Sequence, residues 1–220
     1  MNEIQKTAGV FVIGGGGHSK VVMSTLRYSG HVVHSVYDDD PAKWDTTILD
    51  CRVVGPVNQL ISKDGNGIVA IGDNRTRREL TEFLPHLSWI SAIHPEGYLD
   101  PSSEIGEGTV LCAGAVAQPQ VFIGNHAIVN TATTVDHDCR IGNYVHLAPG
   151  VHLGGEIDVC EGTLVGIGAT VLPGIRIGRW CTVGAGSVVT EDIQDYCTVV
   201  GVPAKTIAIG TAFRSATLYH

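Results

Sequence analysis

Charged residues are scarce in this chain, and long apolar runs are missing. Only 16% of its 220 residues are charged, and acidic residues outnumber basic ones by 22 to 14. The resulting net charge of -8 does not attract nucleic acid or an anionic membrane surface, so we expect neither as a partner. No apolar segment reaches the length of a membrane span, and no leader-like stretch precedes the segment VFVIGGGG.

Paired cysteines are missing as well. The six cysteines show no CxxC spacing, which is the usual signature of a zinc site or a redox pair. In a chain without signs of export, we expect them to be reduced thiols. The sequence thus favours a cytoplasmic protein with no metal site.

Glycine, in contrast, is abundant. The chain has 28 glycines, and 44% of its residues are apolar, which is enough to form a core. Many glycines combined with few charges are typical of a tightly turning, β-rich solenoid rather than a helical bundle.

The second half of the chain has a six-residue period that runs from residue 105 to 194 without an insertion. At 44% apolar content, agreement by chance in one fixed frame has a probability of roughly 10⁻⁵. The aliphatic positions are Ile105, Leu111, Ala117, Ile123, Val129, Val135, Ile141, Leu147, Leu153, Val159, Val165, Val171, Ile177, Val183 and Val189.

This period matches neither a helix nor simple strand alternation, and it fits a short strand followed by a sharp turn. Three such hexads make one coil of a triangular parallel β-helix, with the aliphatic residue pointing inward. The fifth place of many hexads holds a small residue that leaves room for it, and Cys139 and Cys181 fall on this place as core residues. Fifteen hexads therefore predict five coils.

The first hundred residues predict a small α/β module. VFVIGGGGHSKVVMSTLRYSG indicates a buried strand, a glycine loop that includes Gly16 and Gly17, and a helix that starts near His18. The positive end of this helix and the open glycine backbone are suited to a phosphate-bearing ligand. The glycines lack the full dinucleotide spacing, which argues against NAD.

Two more strands follow in this module. HVVHSVYDDD predicts a strand that ends at Asp38 and Asp39, whose carboxylates can accept hydrogen bonds from ribose or base, or can simply form a solvated acidic turn. GIVAIGDNRTRRELTEFL predicts a strand, Gly72, and a helix capped by Asp73 or Asn74. LSWISAIHP predicts a fourth strand before the solenoid.

Taken together, these motifs carry a family resemblance. IGGGGHSK, the DDD run, IGDNRTR, NTATTVDHDCRIGNYVHLAPG and GVPAK cover the chain from residue 10 to about 205. The chain resembles the bacterial nucleotide-sugar N-acetyltransferases of the UDP-4-amino-sugar (bacillosamine) type, which have the sialic acid O-acetyltransferases as close relatives.

The resemblance implies the fold and its division. It implies an α/β N-terminal module over residues 1–98, a left-handed parallel β-helix over residues 99–204 and a C-terminal tail over residues 205–220. The hand of the helix comes from the resemblance, because the period alone does not fix it. It also implies a homotrimer with active sites between neighbouring chains.

The resemblance also implies roles for individual residues. His137 takes the place of the general base and Asp138 that of the acid beside it, where the bacillosamine enzymes often have glutamate. His146, Ile167 and Ala185 match positions that meet acetyl-CoA, His146 near the thioester. The positions that match the nucleotide-sugar pocket are Gly16, Gly17, His18, Asp38, Asp39 and Gly72.

The residues themselves favour the same chemistry. His137 and Asp138 take the third and fourth places of their hexad, which predicts an outward-pointing corner. An amine that attacks a thioester must lose a proton, and a histidine can accept it near neutral pH, more readily beside a carboxylate. A merely solvated corner histidine and a metal held by Asp136, His137 and Asp138 are the alternatives.

Three functions are consistent with these motifs and with the resemblance. The first is acetyl-CoA-dependent N-acetylation of the C4 amine of a nucleotide-linked 4-amino-4,6-dideoxy sugar. The second is O-acetylation of a sugar hydroxyl, as in sialic acid modification. The third is a non-catalytic solenoid scaffold, which would have no affinity for coenzyme A and no need of the imidazole–carboxylate corner.

Overall fold

A sheet of mostly parallel strands forms the first module of the computed structural model, which describes residues 9–210. The order of the six strands is β3-β4-β2-β1-β5-β6, and only the hairpin of β3 and β4 is antiparallel. The strands are β1 (Val10–Ile13), β2 (Val33–Tyr37), β3 (Thr47–Ile48), β4 (Cys51–Gly55), β5 (Asn66–Val69) and β6 (Ser88–Trp89).

Two α-helices connect these strands. Helix α1 (Gly17–Tyr28) follows β1 and the glycine loop, and helix α2 (Asn74–Phe83) follows β5. The side chain of Asp73 accepts a hydrogen bond from the backbone N–H of Thr76, which confirms Asp73 as the cap of α2. Two short 3-10 helices, Pro41–Lys43 and Val57–Leu60, complete the module.

Two-residue strands make up most of the second module. They are β7 (Ala92–Ile93), β8 (Tyr98–Leu99), β9 (Glu104–Ile105), β10 (Val110–Leu111), β11 (Val116–Ala117), β12 (Phe122–Ile123), β13 (Ile128–Val129), β14 (Thr134–Val135), β15 (Arg140–Ile141), β16 (His146–Leu147), β17 (His152–Leu153), β18 (Asp158–Val159), β19 (Leu164–Val165), β20 (Thr170–Val171), β21 (Arg176–Ile177), β22 (Thr182–Val183) and β23 (Val188–Val189). A hairpin of β24 (Cys197–Gly201) and β25 (Ala204–Ile209) follows.

These strands stack into three sheets, which are the faces of a prism and are parallel except for β25. Face I contains β7, β10, β13, β16, β19, β22, β24 and β25, face II contains β8, β11, β14, β17, β20 and β23, and face III contains β9, β12, β15, β18 and β21. Until the last coil, each strand pairs with the strand eighteen residues further along, as Val129 does with Leu147. One coil is therefore three hexads, and residues eighteen apart lie above one another.

Three vertical corners separate the faces. Corner A, between faces I and II, contains residues 131–132, 149–150, 167–168 and 185–186. Corner B, between faces II and III, contains residues 137–138, 155–156 and 173–174. Corner C, between faces III and I, contains residues 125–126, 143–144, 161–162 and 179–180.

The aliphatic positions of the repeat fill the prism. Fourteen of the fifteen predicted positions are buried, and Ile105 packs partly buried against the same core. Cys139 and Cys181 are buried at fifth places. The six-residue period and the small residue at the fifth place are thus confirmed, since the residues at both places point into the core of the prism.

The prism begins before residue 105, and its last coil is shorter than the repeat predicts. Ala92–Ile93 pairs with Val110–Leu111, so the segment LSWISAIHP divides between β6 of the first sheet and β7 of the prism. At the other end, Ile193 bridges Ile177 after only sixteen residues, which shortens the last coil by two. The hairpin of β3 and β4 is a further element that the pattern did not predict.

The two modules share a hydrophobic cluster. Helix α1 buries Val22, Met23 and Leu26 against face I, where Ala92 and Val110 belong to the same cluster. Helix α2 lies instead along corner C. The first module therefore covers the first coils of face I and one of its edges.

Corner C should be unusually sensitive to substitution. Gly162 has a φ of +70°, and a Cβ there would lie 2.3 Å from the ring of Trp180 in the next coil. Gly168 at corner A has a φ of +67° with open space around it. We expect Gly168→Ala to cost about 1 kcal/mol of unfolding free energy for its left-handed backbone, and Gly162→Ala about 1–3 kcal/mol more for displacing the indole. Urea unfolding of both variants measures this difference, and equal losses would contradict the packing described.

Candidate active site

His137 and Asp138 form a hydrogen-bonded pair at corner B. Nδ1 of His137 lies 2.7 Å from Oδ2 of Asp138, and the two side chains are 54% and 48% exposed. Because a carboxylate only accepts, Nδ1 carries the hydrogen and the outer nitrogen, Nε2, keeps a free lone pair. Asp136 accepts from the backbone N–H of His137 at 2.7 Å, which fixes the turn.

The surroundings of His137 make it a stronger base. The hydrogen bond to Asp138 raises the pKa of the imidazole above its usual value and outweighs the opposing effect of desolvation. The negative charges of Asp136, Asp138 and Glu156 add to the increase. A proton accepted at Nε2 is therefore held more tightly than by an isolated histidine.

Gly155 lies directly beneath the imidazole, one coil further along corner B. A Cβ at Gly155 would lie 2.6 Å from Cε1 and 2.7 Å from Nε2 of His137. Any side chain there would occupy the space next to the free nitrogen. Gly155 was not predicted from the sequence, although it follows His137 by eighteen residues, which is the length of one coil.

The glycine loop of the first module has an open surface. Nothing lies within 4 Å of a Cβ built on Gly16 or Gly17, whereas one built on Gly14 would meet Ile71 at 2.5 Å. Gly14, with its φ of +104°, is thus required by the fold. Gly16 and Gly17 instead leave free space at the amino end of α1, where a ligand can approach the backbone.

The acidic residues after β2 hold this loop in place. Oδ2 of Asp38 accepts from the backbone N–H of Gly15 at 2.6 Å and from Lys43 Nζ at 2.9 Å. Burial opposes ionisation, but these hydrogen bonds and the one from the backbone N–H of Asp40 keep the pKa of Asp38 below its usual value. Asp39, which is exposed, accepts from the backbone N–H of Val57 at 2.8 Å. The Lys43 ammonium therefore stands beside the glycine loop.

His18, Gly72 and His146 meet where the first module covers face I. The rings of His18 and His146 are 5.9 Å apart, and Nδ1 of His146 donates to the carbonyl oxygen of Gly72 at 3.1 Å. Nε2 of His146 accepts from Nδ2 of Asn130 at 3.1 Å, and Nε2 of His18 is buried without a hydrogen-bond partner among residues 9–210. Burial, followed by the nearby charge of Arg77, lowers the pKa of both histidines to about 4, so both are neutral at pH 7.

The other predicted cofactor positions lie at corner A. Ile167 is 62% exposed, and Ala185, one coil further, is exposed as well. They border face I on the side away from corner C. Lys205, near the start of β25, forms an exposed ion pair with Glu191 at 2.8 Å. The contacts of Ile167 and Ala185 with a cofactor stay predictions.

The predicted residues fall into two groups that a single chain keeps apart. The glycine loop, His146, Ile167 and Ala185 lie on or beside face I. His137 and Asp138 lie at corner B, which is the corner opposite face I in a three-sided coil. The structure therefore brings His18 and Gly72 to His146 and pairs His137 with Asp138, but it keeps corner B apart from face I.

Residues 9–210 contain neither a metal-binding cluster nor a helix long enough to cross a membrane. Within residues 9–210, no three His, Cys, Asp or Glu side chains converge as metal ligands, and His137 turns to Asp138 rather than to a shared centre. Helices α1 and α2, with 12 and 10 residues, are the longest in that range and too short to traverse a bilayer.

Known proteins match both modules. The family model of the PglD N-terminal domain matches residues 9–84, and that of the bacterial transferase hexapeptide (six repeats) matches residues 157–191. PerB from Caulobacter crescentus, whose crystal structure contains CoA and GDP-perosamine, is 41% identical with a TM-score of 0.85. That match covers 91% of this chain and 97% of PerB.

The chain belongs to the nucleotide-amino-sugar N-acetyltransferase family. The resemblance and the fold class, including the left-handed β-helix, are thereby confirmed. A second similar structure is that of the acetyltransferase domain of PglB from Neisseria gonorrhoeae, solved with acetyl coenzyme A. It is 36% identical with a TM-score of 0.85, over 91% of this chain and 100% of that domain.

Curated relatives match over shorter stretches. Serine acetyltransferase of Bacillus pumilus is 32% identical over 104 residues, which are 43% of this chain and 48% of that enzyme. The chain thus spans about half the length of the curated relatives that it matches.

Asp138 should control the basicity of His137. In Asp138→Asn the pKa of His137 should fall, because the charged hydrogen-bond acceptor is replaced by a neutral one. NMR titration of the imidazole measures this fall. Glu156→Gln is the matched control, because it removes a nearby charge that makes no hydrogen bond to the ring. An unchanged titration in Asp138→Asn, or an equal change in Glu156→Gln, would contradict the pairing.

Proposed function

We propose that this protein transfers the acetyl group of acetyl-CoA to the C4 amine of a nucleotide-linked 4-amino-4,6-dideoxy sugar. The observation that carries the proposal is the match to PerB through both modules, in a protein whose structure contains CoA and GDP-perosamine together. The open glycine loop beside Lys43 supports a substrate with an anionic nucleotide portion.

In this proposal His137 is the general base. The neutral amine attacks the thioester carbonyl, so a C–N bond forms and the carbonyl oxygen gains negative charge. Nε2 of His137 takes the proton from the nitrogen, and the imidazolium is stabilised by Asp138 at 2.7 Å. The C–S bond then breaks, and the coenzyme A thiolate leaves and takes up the proton.

Stabilisation of the oxyanion is assigned to a backbone N–H. Both ring nitrogens of His146 are engaged within the chain, by Gly72 and Asn130. In that arrangement His146 has no N–H left for a developing negative charge. One preorganised backbone donor in its place contributes about 3 kcal/mol to such a transition state.

The active site is assembled from two chains of a homotrimer. One chain supplies the nucleotide-sugar module, His146 and the cofactor groove along Ile167 and Ala185. Its neighbour supplies His137 and Asp138. The proposal rests on corner B lying opposite face I, since a head-to-tail ring brings such opposite surfaces together and closes with a threefold axis.

A thiol-release assay tests the acceptor. We expect release of coenzyme A from acetyl-CoA with a nucleotide-linked 4-amino sugar, and no release with a sialic acid or with serine, because only the first can occupy the glycine loop. GDP-, UDP- and dTDP-linked acceptors should be assayed in parallel. Release with sialic acid alone would favour O-acetylation, and no affinity for acetyl-CoA by calorimetry would favour a scaffold.

A histidine variant tests the base. His137→Ala should lower kcat at least a hundred-fold while acetyl-CoA binding is retained, because the removed group acts on the proton and not on the cofactor. His34→Ala is the control: this exposed histidine lies at the amino end of β2, away from the loops. Wild-type turnover by His137→Ala would remove His137 from the mechanism.

A further inference from the structure

We propose that Arg77 is a positioning residue, which holds the Gly72 loop in the place where His146 needs it. This inference rests on the proposed function for its kinetic consequences, although its structural consequence can be measured independently. Arg77 is 1% exposed and contacts no space that a substrate can reach, so its action has to pass through other residues.

All five N–H donors of Arg77 are engaged. The guanidinium spans three segments of the chain: the loop after β5, the first turn of α2 and two successive turns of corner C. Its acceptors are Ile71 O at 2.9 Å, Gly72 O at 3.3 Å, Asn74 Oδ1 at 2.8 Å, His126 O at 2.8 Å and Tyr144 O at 2.8 Å.

Docking alone does not explain a guanidinium at this position. The five acceptors are neutral oxygens, so desolvation of the cation is not offset by a bound carboxylate, and burial lowers the pKa of Arg77 to about 10. An apolar side chain docks a helix at lower cost. The guanidinium offers what an apolar residue lacks, a rigid planar fork that fixes five acceptors relative to one another.

Arg77 is connected to His146 through one carbonyl group. Gly72 O accepts from Nη1 of Arg77 and from Nδ1 of His146. Asn130 donates to Nε2 of His146, and the side-chain oxygen of Asn130 accepts from the backbone N–H of Thr131 at 2.8 Å, which fixes the orientation of the amide. His146 is therefore held as the Nδ1–H tautomer between one fixed donor and one carbonyl whose position depends on Arg77.

Arg78 provides the matched control on the same helix. It docks α2 on corner C through Glu161 at 3.4 Å and lies over the ring of Trp180 at 5.8 Å. It does not share a carbonyl with His146. Substitutions of Arg77 and Arg78 thus both loosen the docking of α2, but only the first disturbs Gly72.

The test compares Arg77→Lys with Arg78→Ala in the full-length protein. Lysine keeps the charge but has one nitrogen in place of the fork. We expect Arg77→Lys to lower kcat/KM for the nucleotide amino sugar at least ten-fold, with KM for acetyl-CoA changed less than two-fold. We expect Arg78→Ala to change both less than two-fold, with a smaller loss in Tm because its ion pairs are exposed. The ¹⁵N shifts of His146 should show one Nδ1–H tautomer in the wild type and a mixture in Arg77→Lys.

The outcomes separate the hypotheses. Equal kinetic losses in the two variants, or an unchanged His146 tautomer in Arg77→Lys, would overturn the proposal and leave Arg77 as a docking residue. If Arg77→Lys does not fold, Asn74→Ala replaces it, because it removes one acceptor of the guanidinium and should cause a smaller change in the same direction. A wild-type protein without transferase activity would refute the proposed function, while the tautomer measurement would still decide the role of Arg77.

Discussion

The number of residues in one coil is the constraint on which the rest of this structure depends. In every coil but the last, eighteen residues bring the chain back above its starting point, so each outward position there belongs to one face or one corner of the prism. The inward aliphatic residues enforce this register, because a slip of one residue would expose the core. The place of every functional side chain on the prism follows from its number modulo eighteen.

This register also explains how the α/β module is attached. Turn residues at the fourth hexad place have their carbonyl groups stacked along corner C, and α2 supplies donors to three of them. Asn74 donates to Gly162 O, and Arg77 donates to His126 O and Tyr144 O. The helix thus docks on a repeated backbone feature, while α1 packs its apolar side on face I. Two different kinds of contact hold the glycine loop and the prism in one arrangement.

Much of the fold and part of the site could be predicted from the sequence. The period identified the prism because each inward position requires an aliphatic residue, and Ile93 and Leu99 continue it to the true start of the coil. The pairing of His137 with Asp138 could be predicted because the two are adjacent at a turn. The hairpin of β3 and β4 could not, since a two-residue strand that stands outside any repeat has no periodic signal.

The remaining site residues depend on distances that no local pattern contains. Gly155 reaches His137 only through the coil register, and Asn130 meets His146 only across neighbouring coils. Four of the five acceptors of Arg77 are backbone carbonyls. Every residue has such a group, so the residue types do not reveal which carbonyls Arg77 will bind. The division of the site between face I and corner B became visible only when the three faces were assigned.

The central claim is that each active site takes its base from one chain and its substrate module from another. Co-expression of His137→Ala with Gly17→Trp, under two different tags, tests it most directly, since the indole would fill the open space over the glycine loop. In a cyclic trimer purified through both tags, about one site in three combines an intact module with an intact base. The account predicts about one third of wild-type thiol release from these mixed trimers and almost none from either parent. Mixed trimers as inactive as their parents would contradict it.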